Sequence, residues 1–440
     1  MQNIHPSSFI IHPLSHPLSA VVRVPGSKSL TNRALLIASL ANGTTHLTNA
    51  LFSDDSRYFA KALQTLGFDV QLDESNHAMT VTGLGGKIPA TKAELFIGNA
   101  GTAARFLSAF LTLGHGEYIL DGEPRMRERP IGDLADSLTQ LGARIEGMQN
   151  AEGRVQNAEI YPPVKIMASG LPGGKTQIAG NISSQFLSAL LMVAPYAQSP
   201  IEIEVTTDLN SKPYVDMTIA IMRDFGVEVA RNGCQSFRIL HSAFCTPHSY
   251  PIESDASAAS YFFAAPAICG GTVRVENISR KSVQGDIAFL DVLTQMGCVV
   301  EEGDNSIIVH RPQGSSIIGI DIDMRDIPDT AQTLAAVAPF ADSPTRIRDI
   351  ASARVKETDR VSATCTELKR LGVQVEEHED GMTIYPCQTF TPANIQTYND
   401  HRMAMAFSLI GLRFNGVTIE NPSCVSKTFP NFFEVLEQLS

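Results

Sequence analysis

The sequence has no Cys-x-x-Cys pair, although it contains seven cysteines scattered over 440 residues. An odd number of separated thiols argues against a disulfide framework and against a structural zinc site. No stretch approaches the roughly 20 uninterrupted apolar residues that span a bilayer. The N-terminal segment also lacks a basic region followed by an apolar one, the pattern of a secretory signal. We therefore expect a cytoplasmic chain with no metal, no membrane partner and free thiols in a reducing compartment.

An excess of positive charge is also missing. The chain has 46 Asp and Glu against 34 Lys and Arg, so its formal net charge is −12. A general nucleic-acid binder needs a basic surface that releases counterions from the phosphate backbone. We therefore expect no nucleic-acid partner, although a local basic pocket remains compatible with an acidic surface.

An internal repeat is present instead. The pattern L-x-x-[L/M/F]-G-x-x-[V/I] occurs five times, once with Met in place of the first Leu, at 63–70, 138–145, 222–229, 293–300 and 368–375. Each copy predicts an amphipathic helix, a glycine C-cap in the left-handed conformation and then a strand. The spacing is typical of a compact βαβ-type unit.

A second element recurs between these helices. It is a helix rich in small residues, followed by a turn and a strand, and it occurs six times. The predicted helix starts are Ser29, Thr102, Ser184, Asp255 or Ala256, Asp329 and Asp400. A helix N-terminus presents unpaired N–H groups that attract anions.

Six units divide naturally into two similar α/β domains. The length of the chain already favours more than one domain. We expect residues 26–253 to form one domain and residues 1–25 plus 254–440 the other. The leading segment should add a strand to the second half, whereas the sixth unit, which ends near the C-terminus, has no evident closing strand.

Basic loops lie beside the predicted helix starts. The segments are PGSKSLTNR at 25–33, GNAGTAARF at 98–106, GEPRMRERP at 122–130, ISSQF at 182–186, RVKETDR at 354–360, YNDHRMAM at 398–405 and SKTFP at 426–430. Any single one is compatible with a tight turn or a solvated charged surface. In GEPRMRERP, an extended strand would place Arg125, Arg127 and Arg129 on one side. Their recurrence at equivalent places predicts a site for two small anionic substrates.

This set of motifs resembles the 5-enolpyruvylshikimate-3-phosphate synthases over nearly the whole chain, from Pro25 to Pro430. The resemblance implies the enolpyruvyl-transferase fold, an inside-out α/β barrel in which each of two domains has three βαβαββ units. It implies transfer of the enolpyruvyl group of phosphoenolpyruvate to the 5-hydroxyl of shikimate 3-phosphate, with release of phosphate, in an interdomain cleft. It also implies no cofactor, and we expect a monomer.

The resemblance carries roles over to individual positions. Residues implied for shikimate 3-phosphate are Ser29, Arg33, Ser183, Ser184, Gln185, Ser211, Tyr214 and Lys356. Residues implied for phosphoenolpyruvate are Lys28, Gly101, Arg129, Arg360, Arg402 and Lys427. Asn99 is expected to bind substrate as well, without a choice between the two. Asp329 would deprotonate the 5-hydroxyl and Glu357 would protonate the methylene carbon, with Lys28 as a further catalytic group. Two carboxylates in different environments can hold these opposite protonation states.

Two positions depart from the family pattern. Phe106 follows the arginine of GTAAR where many relatives have Pro, which bears on sensitivity to the herbicide glyphosate. Ser352 stands where some relatives offer an Asn to the substrate.

Two alternatives also remain: a transferase that uses a UDP-sugar acceptor, which typically has a reactive Cys in the first half, and a non-catalytic anion-binding domain. Cys234 and Cys245 are poorly placed for the former, and binding alone does not require the carboxylates.

Overall fold

The computed structural model describes residues 7–148, 160–240 and 242–439. The chain forms two compact units. Unit 1 comprises Met1–Pro25 and Glu253–Ser440, and unit 2 comprises Gly26–Ile252. Across the described ranges, no helix is both long and apolar enough to cross a membrane.

The chain begins with two strands of unit 1, β1 (Ser8–Ile11) and β2 (Leu18–Arg23). The described part of unit 2 then contributes the helices α1 (Lys28–Leu40), α2 (Asp54–Thr65), α3 (Gly101–Leu111), α4 (Gly132–Gln140), α5 (Ser184–Val193) and α6 (Lys212–Asp224). Its strands are β3 (Asn42–Thr48), β4 (Asp69–Asp73), β5 (Ala78–Leu84), β6 (Lys92–Phe96), β7 (His115–Asp121), β8 (Arg144–Gly147), β9 (Val164–Ser169), β10 (Gly174–Ile178), β11 (Ile201–Val205), β12 (Ala230–Asn232), β13 (Ser236–Ile239) and β14 (Ser249–Pro251). Short 3-10 helices occupy Met126–Glu128 and Ala194–Tyr196.

The rest of unit 1 repeats this alternation. Its helices are α7 (Ala256–Cys269), α8 (Phe289–Gln295), α9 (Ala331–Val337), α10 (Arg360–Arg370), α11 (His401–Gly411) and α12 (Phe432–Glu437). Its strands are β15 (Gly271–Glu276), β16 (Val299–Gly303), β17 (Ser306–Arg311), β18 (Asp321–Asp323), β19 (Thr345–Arg348), β20 (Val375–His378), β21 (Gly381–Ile384), β22 (Ala393–Ile395) and β23 (Val417–Glu420). Its 3-10 helices are Gly285–Ala288, Pro328–Thr330, Ala338–Phe340, Ala351–Val355 and Pro422–Lys427.

The described strands form six small sheets, five of which have four strands in one shared topology. In β6-β7-β9-β8, for example, β6 and β7 are parallel, whereas β9 pairs antiparallel with both β7 and β8. Four further sheets have the same order: β14-β3-β5-β4, β10-β11-β13-β12, β2-β15-β17-β16 and β18-β19-β21-β20. The prediction of six copies of one α/β unit is confirmed.

The leading segment completes unit 1, as expected. Strand β2 pairs in parallel with β15, and β1 pairs antiparallel with β23. As expected, no strand follows α12 in the described residues, and the sheet of the sixth unit is closed by β1 in the order β1-β23-β22. A strand supplied from the far end of the chain leaves no local sequence signal beside the sixth helix.

The helices are of two kinds: amphipathic helices that end at a glycine, and helices rich in small residues that are buried. The five glycines at the ends of the amphipathic helices all have positive φ, from 81° to 106°, as a left-handed C-cap requires. Helices α3 and α11 are buried along their whole length. Each unit has a hydrophobic core of its own.

Three of the predicted helix starts were wrong. Asp329 lies within the 3-10 helix Pro328–Thr330, and α9 begins at Ala331 with Thr330 as its N-cap. The side chain of Ser27, not Ser29, caps α1 by accepting from the backbone N–H of Leu30. Helix α3 starts at Gly101, with Ala100 as its N-cap, one residue before the predicted Thr102. A run of several capping-type residues does not by itself indicate which of them faces the helix end.

Candidate active site

Seven ionisable side chains meet in unit 1, and we call them the carboxylate–cation cluster. Its members are Asp329, Lys356, Glu357, Arg360, Asp400, Arg402 and Lys427. They come from four separate segments: the 3-10 helix before α9, the start of α10, the start of α11 and the 3-10 helix Pro422–Lys427. Four cations face three carboxylates, so the cluster carries an excess of one positive charge.

Arg360 lies at the centre of the cluster. Its Nη1 is 3.1 Å from Asp329 Oδ1, its Nη2 is 2.7 Å from Glu357 Oε2, and its Nε is 2.7 Å from Asp400 Oδ2. Burial alone would lower the pKa of Arg360, but the three carboxylates, Asp400 first, raise it above its usual range. Arg360 therefore stays charged and holds both predicted catalytic carboxylates within its reach.

Arg402 is the second arginine that contacts Asp329. Its Nη2 donates to Asp329 Oδ2 across 2.7 Å, and its Nη1 is 3.4 Å from the hydroxyl of Tyr261. The carboxylate of Asp400 caps α11 by accepting from the backbone N–H of Arg402 at 2.9 Å. This cap explains why Arg402 occupies the first turn of α11.

Two lysines complete the cluster. Lys356 Nζ is 3.7 Å from Asp329 Oδ1, and Lys427 Nζ is 3.6 Å from Glu357 Oε1. Asp329 and Glu357 thus have separate lysine partners while sharing Arg360. Ser352 lies half-buried in the 3-10 helix that precedes Lys356.

A fourth carboxyl group, Asp286, is buried nearby. Its side chain accepts a hydrogen bond from Ser257 at the start of α7. Burial, followed by the negative charge of Asp329, raises the pKa of Asp286 to about 6, whereas Arg402 opposes the rise. Asp286 therefore belongs to the electrostatic surroundings of Asp329, although it was not predicted from the sequence.

In unit 2, Arg33 ties three helices together. Its Nε donates to Thr218 Oγ1 at 2.8 Å, its Nη1 to the Ser29 carbonyl at 3.0 Å and its Nη2 to the Tyr214 carbonyl at 3.1 Å. Its guanidinium also lies 5.3 Å from the ring centroid of Phe106. Burial lowers the pKa of Arg33 to about 10, so it is still charged at neutral pH. These bonds position the first turns of α1 and α6, and a contact of Arg33 with substrate stays a prediction.

The loop before α3 is held by Arg129. Its Nη1 donates to both the carbonyl and the side-chain oxygen of Asn99, each at 3.1 Å. A Cβ added at Gly101 would lie 2.3 Å from Arg129 Nη2. Glycine at 101 is therefore what lets the arginine lie against the backbone at the start of the helix.

Other predicted residues of unit 2 lie at the starts of α1, α5 and α6. Lys28, the first residue of α1, pairs with Asp55 across 3.7 Å. Ser183 caps α5 by accepting from the backbone N–H of Gln185. The side-chain amide of Gln185 donates to Thr102 Oγ1 at 3.3 Å, which brings the starts of α5 and α3 together.

Ser184, Ser211 and Tyr214 occupy first-turn positions as well. Ser184 begins α5, while Ser211 is the N-cap of α6 and has a left-handed φ of 55°. The backbone N–H of Tyr214 donates to the Ser211 carbonyl at 3.0 Å. Small polar residues thus surround the helix starts of unit 2, as the motifs predicted.

The expected arginine strand at 122–130 was wrong. Residues Met126–Glu128 form a 3-10 helix, so alternation does not place three arginines on one face. Arg125 pairs with Glu128 at 2.8 Å, and Arg127 pairs with Asp121 at 2.6 Å. Only Arg129 of the three is buried, and only Arg129 was assigned to substrate.

The structure also reveals groups to which no catalytic or substrate-binding role was assigned from the sequence. Asp400 binds Arg360, Asp55 binds Lys28, and Asp286 lies in the field of Asp329. The signal for Asp400 was present, since an Asp before an apolar helix is a common N-cap. Within the described ranges, no three His, Cys, Asp or Glu side chains are grouped to hold a metal ion.

Comparison with known proteins decides the family. A sequence model for EPSP synthase (3-phosphoshikimate 1-carboxyvinyltransferase) matches residues 14–436. The chain belongs to the EPSP synthase family. It is 50% identical to the 3-phosphoshikimate 1-carboxyvinyltransferase of Nostoc punctiforme, over 97% of this chain and 98% of that protein. It is also 50% identical to the Shewanella sp. protein of the same name, over 94% and 95% of the two chains.

Solved structures agree with this assignment. The EPSP synthase of Acinetobacter baumannii is 27% identical, with a TM-score of 0.80 over 98% of both chains. The enolpyruvyl transferase NikO of Streptomyces tendae is 18% identical, with a TM-score of 0.76 over 98% of this chain and 96% of that one. The second likeness concerns the fold alone. Membership of the family makes this chain a transferase of aromatic amino-acid biosynthesis through the shikimate pathway, and the predicted enolpyruvyl-transferase fold is confirmed.

Proposed function

We propose that this chain transfers the enolpyruvyl group of phosphoenolpyruvate to the 5-hydroxyl of shikimate 3-phosphate, and that the carboxylate–cation cluster carries the proton transfers. Membership of the EPSP synthase family supports the reaction. The observation that supports the role of the cluster is its centre, where Arg360 contacts both Asp329 and Glu357. An anion-binding domain without catalysis has no need for two carboxylates, one buried and one half-buried, among its cations.

The cations suit an acidic donor. Phosphoenolpyruvate carries a carboxylate and a phosphate, and arginine forks bind such groups in a bidentate manner. Arg360, Arg402 and Lys427 of unit 1, with Lys28, Gly101 and Arg129 of unit 2, are the proposed donor-binding set. In the absence of substrate, the carboxylates of the cluster compensate the charges of the arginines. Binding of the donor then exchanges part of this internal pairing for pairing with the ligand.

The acceptor is proposed to bind through small polar groups and a few cations. Ser29, Arg33, Ser183, Ser184, Gln185, Ser211 and Tyr214 of unit 2 form this set, together with Asn99 and, from unit 1, Ser352 and Lys356. Serine hydroxyls and backbone N–H groups at helix starts are suitable donors to a phosphate. We propose that the two units act on the same pair of substrates.

The chemistry requires one base and one acid. Asp329 takes the proton of the 5-hydroxyl as its oxygen attacks C2 of phosphoenolpyruvate, and Glu357 delivers a proton to the methylene carbon. The resulting tetrahedral intermediate then returns a methyl proton to the Glu357 carboxylate as the C–O bond to phosphate breaks, which restores the alkene, and the proton held by Asp329 leaves with the phosphate. The ammonium group of Lys28 compensates the negative charge of phosphoenolpyruvate during the reaction. Two carboxyl groups in different surroundings can take opposite roles, and here Asp329 contacts Arg360 and Arg402 whereas Glu357 contacts Arg360 and Lys427.

The cellular setting is also part of the proposal. All seven cysteines are free thiols, which suits a reducing compartment such as the cytoplasm. The net charge of −12 does not favour nucleic acid as a partner. One chain supplies all of the residues assigned to both substrates, which supports a monomer.

A phosphate-release assay tests the proposed function. We expect phosphate only when shikimate 3-phosphate and phosphoenolpyruvate are both present. Release with a UDP-sugar acceptor in place of shikimate 3-phosphate would instead favour the sister transferase. Binding of both substrates without release would leave an anion-binding domain and would contradict the proposal.

A further inference from the structure

Glu367 is a buried carboxylate that the proposed reaction does not use. It lies on α10, two helical turns after Arg360, and none of it is exposed to solvent. Removing a charged carboxylate from water is unfavourable unless hydrogen bonds compensate it. The groups that bond to Glu367 therefore indicate which part of the fold this carboxylate stabilises.

Two of these partners belong to the segment that joins β22 to α11. The backbone N–H of Gln396 donates to Glu367 Oε2 at 3.1 Å, and the hydroxyl of Tyr398 donates to Glu367 Oε1 at 2.8 Å. Burial, followed by the hydrogen bond to Glu367, raises the pKa of Tyr398 to about 12, so the hydroxyl keeps its proton at neutral pH. The partly exposed Arg370 contributes an ion pair at 3.1 Å.

The segment that Glu367 holds contains an unfavourable backbone corner. Tyr398 and Asn399 have φ values of 52° and 54°, in the left-handed region that residues other than glycine seldom adopt. Such conformations persist when the surrounding structure fixes them. Asn421 donates to the Asn399 side-chain oxygen at 3.2 Å and supplies a second restraint.

Active-site residues follow immediately after this corner. The next residue is Asp400, which caps α11 and binds Arg360, and two positions further is Arg402. Helix α10 thus holds the segment at two points, through Arg360 at Asp400 and through Glu367 at Gln396 and Tyr398. A shift of the corner changes where α11 begins and therefore where the guanidinium of Arg402 lies.

We propose that Glu367 is a positioning residue for the donor site: by holding the left-handed corner at Tyr398 and Asn399, it sets the places of Asp400 and Arg402. This inference rests on the proposed function, because it assigns Arg402 to phosphoenolpyruvate. It assigns no contact between Glu367 and either substrate.

The first test is steady-state kinetics of Glu367→Gln, which keeps the size of the side chain and removes one acceptor. We expect the KM for phosphoenolpyruvate to rise roughly tenfold or more, because a small misplacement of a binding group is costly. The KM for shikimate 3-phosphate should change less than twofold, since unit 2 carries most of its proposed contacts. A merely structural role would reduce the fraction of folded enzyme and lower kcat, with both KM values unchanged.

Tyr398→Phe provides a second variant and a coupling test. It removes one hydroxyl and should raise the same KM by a smaller factor, roughly threefold. The double variant should lose less than the product of the two single changes, because both substitutions weaken the same hydrogen bond. The matched control is Glu376→Gln on β20, where an exposed glutamate accepts from the hydroxyl of Tyr385 at 2.8 Å. It should have wild-type kinetics.

Amide hydrogen exchange provides a readout that needs no substrate. In Glu367→Gln we expect faster exchange at Gln396 and in the first turn of α11 than in the wild type. Unchanged exchange there, equal changes in both KM values, or additive effects in the double variant would each overturn the inference. A wild-type enzyme that releases no phosphate from the two substrates would instead overturn the proposed function, and the exchange result would still decide whether Glu367 holds the corner.

Discussion

Arg402 Nη2 lies 2.7 Å from Asp329 Oδ2, so the proposed base is held by an arginine from the first turn of α11. The other oxygen of Asp329 faces Arg360 at 3.1 Å and Lys356 at 3.7 Å. The contacts place the carboxylate of Asp329 among three cations, at the position where it is proposed to accept the proton of the 5-hydroxyl.

Asp329→Ala should therefore lower kcat by roughly 10²-fold or more, the usual loss when a general base is removed. The exposed Asp326, three positions earlier, provides the control: Asp326→Asn should keep wild-type turnover. Unchanged turnover in Asp329→Ala, measured by phosphate release, would exclude Asp329 as the base. An equal loss in both variants would indicate a general effect on folding.

Gly101→Ala is expected to weaken binding of phosphoenolpyruvate. The added methyl group would lie 2.3 Å from Arg129 Nη2 and would push the guanidinium away from Asn99. Loss of one charge-assisted contact predicts a rise in the KM for phosphoenolpyruvate of about tenfold, with kcat less affected.

The control for this substitution is Gly147→Ala on β8. Among the described residues, a Cβ there would meet only Ile160 Cγ2, at an ordinary 3.9 Å. It should leave both KM values unchanged. If Gly101→Ala had no effect on the KM for phosphoenolpyruvate, Arg129 would not be a donor-binding residue in the proposed position.

Arg33→Lys should destabilise unit 2. Arg33 is 1% exposed and donates to Thr218, Ser188 and two carbonyls, a set that the single ammonium group of lysine does not satisfy. Leaving buried acceptors without donors predicts a loss of about 2–4 kcal/mol in the free energy of unfolding, measured by denaturant titration. Arg223→Lys, at an exposed ion pair with Glu228, should change it by less than about 0.5 kcal/mol. Equal stability of the two variants would contradict the packing role of Arg33.

The repeating parts of the fold were predictable from the sequence because their causes are local. A glycine after an amphipathic helix specifies a C-cap wherever it occurs, and all five predicted positions have the required positive φ. The backbone conformation around Arg125, Arg127 and Arg129 was not predictable, because the local pattern does not distinguish a strand from a 3-10 helix. The closing strand β1 pairs with β23, a contact between the two ends of the chain.

The same distinction applies to the candidate site. Motifs identified Asp329, Glu357 and Arg360, and the structure brings them within hydrogen-bond distance. Glu367 and Asp286 carry no motif signal. Their importance depends on burial and on partners more than 25 positions away along the chain, such as Tyr398 and Ser257. Such partners are defined only once the segments pack together.

Asp286 connects the site to the pH dependence of stability. Burial is the main cause of its raised pKa, about 6, against an ordinary value of 3.8. Between these two values the folded state holds a proton that the unfolded state has released. The contribution of Asp286 to stability is therefore full below about pH 4 and is lost as the pH rises through about 6.

Asp286→Asn removes this titration while keeping the shape of the side chain. Relative to the wild type, the variant should gain free energy of unfolding as the pH rises from 4 to 6, by about 3 kcal/mol for a shift of roughly two pKa units. Denaturant titrations of both proteins at several pH values measure the difference, in which the titration of other groups largely cancels. Asp291→Asn, at an exposed carboxylate paired with Arg280, should show no such gain. A difference between Asp286→Asn and wild type that stays constant from pH 4 to pH 7 would mean that Asp286 titrates alike in the folded and unfolded states.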